Sequence, residues 1–378
     1  MCRFEAAKRF VSLFLGLRRL SSRTSHAVDR IDIANIMIHL NRFSRVGVRM
    51  QRCRQGISYH QHYQPGRPRA NAPSIIELMQ INVFTGSSHP ELASLILERL
   101  SLPPAPAVLK RFSNAEISVE IGASVRDMDV FIIQSGSSTV NDHVMELLIM
   151  ISACRAASAR RITAVLPYFP YNKQSKRKKA RGAITAKLLA NMLQVSGVDH
   201  IITLDLHSSH IQGFFNKPVD NLTGEPAIAK YLKERFPTLA TQGIIICKNA
   251  GGAKLVTSMS DKLKIDFALI HRERYHVHEL ADDETIETRL TLVGDVQDKI
   301  CFLYDDSIDG AHSFLDSCAH LKKCNAAQVF LVASHGILSG NSLTELEQST
   351  DVDGIIVTNS YPIPKEKRAL STKLEIIG

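Results

Sequence analysis

From about Ile81 onward the chain settles into a repeating pattern. Short apolar runs rich in Val and Ile alternate with stretches whose apolar residues recur at helical spacing. The runs predict strands at Ile81 to Phe84, Val130 to Gln134, Ile162 to Leu166, His200 to Leu206, Ile244 to Cys247, Phe267 to Ile270, Ile300 to Tyr304, Val329 to Ala333 and Ile355 to Thr358, with a last one at Lys373 to Ile377. Helices are predicted between them at Pro90 to Leu100, Asp142 to Ala157, Thr185 to Val195, Pro226 to Phe236, Ala253 to Leu263 and Ser313 to Lys323. A strand that is apolar throughout is covered on both faces, and a strand followed each time by a helix is a parallel crossover unit. The pattern therefore predicts an α/β protein, its parallel sheets covered by helices on both faces. Its ligand site should lie at the carboxyl ends of the strands.

Composition changes this picture little, but charge sharpens it. The 378 residues are 44% hydrophobic and 22% charged, which excludes a disordered, collagen-like or many-spanning membrane chain. The net charge of +9 invites a nucleic-acid reading until it is divided: residues 1–73 hold 14 of the 46 basic and 3 of the 37 acidic residues, leaving 32 against 34 in the rest. The globular part is slightly acidic, so neither nucleic acid nor membrane is expected as a partner. The Arg-rich leader, residues 1–80, reads as a mitochondrial targeting segment, a disordered tail or a mispredicted translation start, and its apolar stretch Phe10 to Leu17 is too short to span a bilayer. The Cys residues have no CxxC spacing and mostly lie in apolar runs, which points to reduced, buried thiols and a cytoplasmic location. Neither GxxxxGK[ST] nor GxGxxG occurs, so a P-loop kinase and a dinucleotide-binding enzyme are not indicated.

The segment richest in chemistry is KICFLYDDSIDGAHSF, Lys299 to Phe314. An apolar strand ends in Asp305 and Asp306, Asp309 follows in a short loop, and a helix then opens. Two carboxylates at a strand end can accept hydrogen bonds from the vicinal hydroxyls of a sugar, and the free amides of a helix start can receive a phosphate. Together they suit a ribose 5-phosphate; the other reading is a surface turn with an N-cap.

This segment resembles the phosphoribosyl-pyrophosphate (PRPP) signature of phosphoribosyltransferases and of ribose-phosphate pyrophosphokinases (PRPP synthetases). The second family accounts for the rest of the chain. VFTGSSHPELA, FSNAEISVEIGASVRDMDVFIIQSG, NDHVMELLIMISACRAASARRITAVLPYFPY, DHIITLDLHSSHIQGFF, PVDNL, AGGAK, DFALIHRER, LVGD and SHGILSG are similar to that family in its order, over nearly the whole length from residue 81. The resemblance implies two phosphoribosyltransferase-like (type I) domains. The first, 81–226, would hold ATP and the second, 227–378, ribose 5-phosphate, with magnesium between them and homologous subunits as partners. Transfer of the β,γ-diphosphoryl group to the sugar 1-hydroxyl would give PRPP and AMP, by in-line displacement that depends on positioning and neutralising cations.

Residue by residue, the resemblance puts Phe112, Asn114 and Glu116 in the loop that receives adenine. A core aromatic and a solvated charge are the alternative readings of Phe112 and Glu116. Lys173 and Gln174 fall where the family has an Arg-Gln pair on ATP, although basic runs are commonly just solvated loops. His207 matches a contact to magnesium and the ATP phosphates; a lone strand-end His is otherwise more often structural. Asp305, Asp306, Asp309, Gly310 and Ser313 form the sugar-phosphate loop. Ser334, His335, Gly336 and Gly340 match an allosteric phosphate region, or else a tight turn. His276, His278, Glu279, Asp282, Asp283 and Glu284 lie in a polar stretch that reads as a mobile loop, the flexible flap of the family, with Arg272 and Arg274 on its rim.

Departures from the family pattern cluster at the chemistry. Asn249 stands where catalytic members have Asp, so a magnesium ligand there is neutral and weaker. Arg272 replaces the catalytic Lys, with Arg274 retained, and a planar guanidinium is no simple substitute for an ammonium. The loop reads Gly310, Ala311, His312, Ser313 in place of Thr, small, Gly, Thr; at His312 a side chain should disfavour positive φ and crowd the anion. Two lost charge-assisted hydrogen bonds, at roughly 1.5 to 3 kcal/mol each, would weaken binding about a hundredfold or more. The family also continues beyond the last strand with a helical tail, whereas this sequence stops at Gly378. Two functions are expected from these features. One is a magnesium-dependent ribose-phosphate diphosphokinase; the other is a catalytically weak regulatory or scaffolding subunit.

Overall fold

The alternation of apolar side chains across the strands builds the cores. In the computed structural model, which describes residues 80–278 and 284–378, β1 (Ile81–Thr85) is followed by α1 (Pro90–Leu100), a hairpin of β2 (Ala107–Arg111) and β3 (Ile117–Ile121), β4 (Asp129–Ile133), α2 (Val140–Ala156), β5 (Arg161–Leu166), α3 (Thr185–Ser196), β6 (His200–Leu204) and β7 (Val219–Leu222). β1, β4, β5, β6 and β7 form one sheet in that order, parallel throughout. Neighbouring strand residues part company: Phe84 and Ile132 enter the core under α2 and α3, while Val83 and Ile133 turn to the face covered by α1. α2 meets the first core with Leu147, Met150, Ile151 and Cys154, the spacing of a single helix face.

α4 (Glu225–Arg235) opens the second unit, followed by α5 (Leu239–Gln242), β8 (Gly243–Cys247), α6 (Ala253–Leu263), β9 (Phe267–His278), β10 (Glu284–Val293), β11 (Ile300–Ile308), α7 (His312–Lys323), β12 (Gln328–Gly336), α8 (Ser342–Gln348), β13 (Gly354–Thr358), α9 (Lys365–Arg368) and β14 (Leu374–Ile377). Their sheet runs β10-β9-β8-β11-β12-β13-β14, parallel except where β10 turns back on β9. Phe314, Cys318 and Leu321 of α7 cover one face. On the other, Ile228 and Leu232 of α4 pack with Val256 and Met259 of α6, around the Phe236 ring, which meets the stacked rings of Phe302 and Phe330 edge-on.

Every apolar run is a strand, but β6 stops at Leu204 instead of Leu206, and β12 runs past Ala333 to Gly336, so Ser334, His335 and Gly336 are strand residues and not a tight turn. β11 runs on to Ile308, so the strand continues two residues beyond Asp305 and Asp306, where it was expected to end. Of the polar stretch read as a mobile loop, His276 and His278 are strand residues of β9 and Glu284 opens β10, because the two strands supply each other's hydrogen-bonding partners. The β2–β3 hairpin and β7 were not expected; both are short or polar. All but the last residue of the leader, and Glu279, Asp282 and Asp283, lie outside the described residues. The described thiols are free, and burial pushes Cys154 up to about 11 and Cys301 and Cys318 up to about 12.

The two sheets meet along a polar seam. His335, at 0% exposure, donates from Nε2 to the carbonyls of Leu204 (3.1 Å) and Asp205 (3.2 Å), accepts at Nδ1 from Ser360 Oγ (2.7 Å), and packs edge-on to Tyr168 at 4.9 Å. Beside it Ser135 Oγ donates to the Ser360 carbonyl at 2.7 Å, and His89 Nε2 to that of Asn359 at 2.7 Å. Replacing His335 by Ala removes the donor from two buried carbonyls, and urea unfolding should show a loss of about 3 kcal/mol. A loss below about 1 kcal/mol would mean that water replaces the imidazole at little cost.

Candidate active site

The carboxyl ends of β5, β6, β8 and β11 converge at one end of the seam. Because consecutive strand residues point opposite ways, Asp305 and Asp306 leave β11 on different sides. Asp306 reaches the other sheet, where His207, three residues past the end of β6, donates from Nδ1 to Asp306 Oδ2 at 2.9 Å. Asp305 stays within its own sheet and meets Lys248 Nζ at 2.6 Å. One turn further on, Asp309 Oδ2 pairs with Lys173 Nζ at 2.9 Å, and its Oδ1 accepts from the Ser339 amide. Lys173 rides on a single 3-10 turn, Asn172–Gln174, after β5, and Gln174 Oε1 accepts from Thr185 Oγ1 at 2.6 Å.

Charge follows this geometry. Burial pulls Asp306 upward, but the hydrogen bond and charge of His207 win and hold it at about 2. Reciprocally, the bond to Asp306 raises His207 above its usual 6.5 against the opposing effect of burial. Asp305 goes the other way, pushed up by burial with Lys248 opposing. Asp309 is lowered, because Ser339 and Lys173 outweigh its desolvation.

The sugar-phosphate loop differs from expectation. α7 starts at His312 with Ala311 as N-cap at φ −73°, ψ −41°, so the backbone is right-handed where the family pattern has a Gly free to take positive φ, and the His312 side chain is exposed. No strain attends the imidazole there, and at Gly310 a Cβ would meet nothing within 4 Å. No side chain caps α7, which leaves its first amides, around Gly310 and Ser313, free for an anion. Arg272 on β9 is half-buried against this helix, its guanidinium 3.1 Å from Asp316 Oδ2 and 3.5 Å from the Ser313 carbonyl. Arg274 lies two residues along β9, opposite Thr288 of β10.

Phe112, Asn114 and Glu116 sit apart at the tip of the β2–β3 hairpin. Phe112 donates its amide to the Glu116 carbonyl, Asn114 Oδ1 accepts from the Glu116 amide, and the Phe112 ring is 55% exposed, which rules out a core aromatic. The structure thus joins Asp306 and Asp309 to His207 and Lys173 but leaves Phe112, Asn114 and Glu116 facing solvent.

The donors nearest the expected magnesium position do not fit a protein-held ion. Asn249 Oδ1 already accepts from the Gly252 amide at 3.2 Å, His207 is committed through Nδ1, and among the described residues no three His, Cys, Asp or Glu side chains converge on one point. Magnesium asks for oxygen, usually carboxylate, ligands.

Two neighbours of the site were not singled out in the sequence. Lys248 is the first polar residue after the run Ile244 to Cys247, and its place at a strand end is the signal that could have found it. Asp205 takes φ +39° and accepts from the Gly224 amide at 2.9 Å and from the Ser334 hydroxyl, locking the end of β6 to β12. Only the assembled seam reveals that role.

Fold and site together define the class: an α/β protein of the type I phosphoribosyltransferase-like build, with two sheets sharing one strand-end site. Residues 81–197 match the family model described as the N-terminal domain of ribose phosphate pyrophosphokinase, and residues 283–378 the phosphoribosyl synthetase-associated domain. The chain is 48% identical over 297 residues to ribose-phosphate pyrophosphokinase 2 of Schizosaccharomyces pombe, covering 79% of this chain and 90% of that protein. It is 38% identical to ribose-phosphate pyrophosphokinase 1 of Saccharomyces cerevisiae, with 79% and 93% covered. The crystal structure of phosphoribosylpyrophosphate synthetase from Mycobacterium smegmatis superposes with a TM-score of 0.71 at 33% identity, covering 79% of this chain and 94% of that one. The chain belongs to the ribose-phosphate pyrophosphokinase family.

The His207–Asp306 pair carries a pH signature. The His207 contribution to stability is complete below its unfolded value of 6.5 and is lost as pH rises through the raised folded value; that of Asp306 is complete above 3.8 and is lost as pH falls toward about 2. His335 acts in the opposite sense to His207: burial holds it neutral, so unfolding takes up a proton below 6.5 and stability falls there. Imidazole NMR should find His207 titrating above 6.5, and at or below 6.5 in Asp306→Asn; the same midpoint in both proteins would contradict the pairing. His312→Gly should bring no gain in sugar-phosphate affinity and should cost up to about 1 kcal/mol in a thermal melt, since it only loosens a helical turn.

Proposed function

We propose that this chain is a ribose-phosphate diphosphokinase subunit that converts ATP and ribose 5-phosphate to PRPP and AMP for nucleotide biosynthesis, with 81–226 as the ATP side and 227–378 as the sugar side. The observation that carries the reading is the pairing across the seam, His207 with Asp306 and Lys173 with Asp309. It puts phosphate-binding cations of one sheet beside sugar-binding carboxylates of the other. Asp305 and Asp306 accept from the vicinal ribose hydroxyls, and the start of α7, through Gly310 and Ser313, takes the 5-phosphate. The sugar 1-oxygen then bonds to the β-phosphorus of ATP as the bond from that phosphorus to the α,β-bridging oxygen breaks. AMP leaves with the bridging oxygen, and the hydroxyl proton passes to solvent. Lys173, Arg272 and Arg274 offset the charge that develops on the phosphoryl oxygens. Phe112, Asn114 and Glu116 supply an adenine surface, exposed here and completed by a homologous subunit. Magnesium would come with ATP and would supply neutralisation of the phosphate charge; His207 and Asn249 are the residues of this chain that the resemblance assigns to it.

A second reading, a regulatory subunit with little activity of its own, is favoured by one feature: the cations of the site already have protein partners. Lys173, Lys248 and Arg272 each face a carboxylate within 3.1 Å, and substrate phosphates must compete with those pairs. On this reading a homologous subunit raises the activity of the assembly. The reducing cytoplasm suits its free thiols.

Phosphorus NMR of the purified chain with MgATP and ribose 5-phosphate distinguishes the two. PRPP and AMP appearing at rates that rise at least tenfold with a co-expressed homologue supports the regulatory reading, and full turnover by the single chain removes it. In either case Asp306→Asn should lower kcat/KM for ribose 5-phosphate about a hundredfold, the worth of roughly 3 kcal/mol in charge-assisted hydrogen bonds.

A further inference from the structure

Lys248 belongs to no role assigned so far, yet its ammonium is among the most enclosed charges of the site. It continues β8 one residue past Cys247, and Cys247 pairs in register with Tyr304, so Lys248 falls opposite Asp305. Alternation fixes which side both take. Cys247 and Tyr304 enter the core beneath α4 and α6, so the next pair along emerges on the other face, where Phe314 of α7 packs. There the Lys248 ammonium lies 2.6 Å from Asp305 Oδ2 and 3.7 Å from the centroid of the Phe314 ring, and the Lys248 and Asp305 side chains are only 16% and 17% exposed. A carboxylate on one side and an aromatic face on the other hold one cation in one place.

Position gives the charge its meaning. Asp305 and Asp306 put two adjacent carboxylates where a sugar phosphate, itself an anion, has to settle, and Phe314 stands in the first turn of α7, whose amides are free for that phosphate. Without a local cation the two carboxylates would repel the ligand they are meant to hold. Asp306 is served by His207. The protein groups near Asp305 do not assemble a divalent site: Asn249 is neutral and its side-chain oxygen is taken by the Gly252 amide.

We propose that Lys248 is a positioning residue of the sugar-phosphate site, a protein-borne cation that neutralises Asp305 beneath the first turn of α7 and so lets the site take ribose 5-phosphate without a divalent ion. This rests on the function proposed above. Lys248 touches Asp305 and the Phe314 ring and acts on the ligand through them: it holds Asp305 Oδ2, while Oδ1, which accepts from the Asp306 amide at 3.0 Å, keeps its second lone pair for a ribose hydroxyl, and it removes one negative charge from the approach of the phosphate.

Isothermal titration of ribose 5-phosphate into the full chain, once in EDTA and once in magnesium chloride, tests it. The wild type should bind with affinities that differ less than threefold between the two buffers. Lys248→Gln keeps a donor for Asp305 but drops the charge; in EDTA it should bind at least tenfold more weakly, with magnesium restoring part of the loss. Lys248→Arg, which keeps the charge, should stay within about threefold of wild type. A merely structural lysine would weaken binding equally in both buffers, and that result overturns the proposal. So does unchanged binding by Lys248→Gln, or binding by the wild type only when magnesium is present, a readout that needs no variant to fold. Wild-type protein that binds no ribose 5-phosphate in either buffer would instead remove the sugar site itself.

Discussion

Successive side chains of a β-strand cannot face the same way, and at the end of β11 this constraint organises everything around it. Asp305 and Asp306 are neighbours in the chain, yet one is turned to Lys248 in its own sheet and the other to His207 in the opposite sheet. Two like charges so close would otherwise push one carboxyl toward protonation. His207 keeps Asp306 firmly ionised against its own burial, whereas burial and the neighbouring Asp306 charge raise Asp305 in spite of Lys248.

The same strand end explains why the two units need each other. Each sheet alone would present an incomplete set: cations on strand-end turns in the first, carboxylates and a bare helix start in the second. The seam formed by His335, Ser135, Ser360 and His89 fixes their relative placement through hydrogen bonds to backbone carbonyls, whose positions vary less than those of side chains. Ion pairs across a partly exposed site contribute little to stability by themselves. Here the buried seam holds the units in register, and the ion pairs lie at its mouth.

Much of this is legible in the sequence, for identifiable reasons. Strands buried on both faces announce themselves as unbroken runs such as Ile244 to Cys247, and α1 and α6 fall within the bounds their apolar stripes define. The acidic segment after Tyr304 stands out in the sequence because two carboxylates beside a helix start are chemically conspicuous. The extension of β11 through Ile308 is hidden, since its polar residues are held in strand by pairing with β12, a tertiary effect. His312 misleads because family pattern alone implies a left-handed backbone, whereas this chain simply begins its helix there. His335 reads locally as part of a turn. Its burial depends on Tyr168 and Leu204, more than a hundred residues away, which no local pattern encodes.

Enclosure of His335 also limits how the molecule can breathe. A clamshell motion of the two sheets would draw the imidazole off the Leu204 and Asp205 carbonyls and wet a ring that is now wholly covered. Substrates must therefore be admitted and sealed in by smaller rearrangements at the rim, with the two halves acting as a fixed anvil.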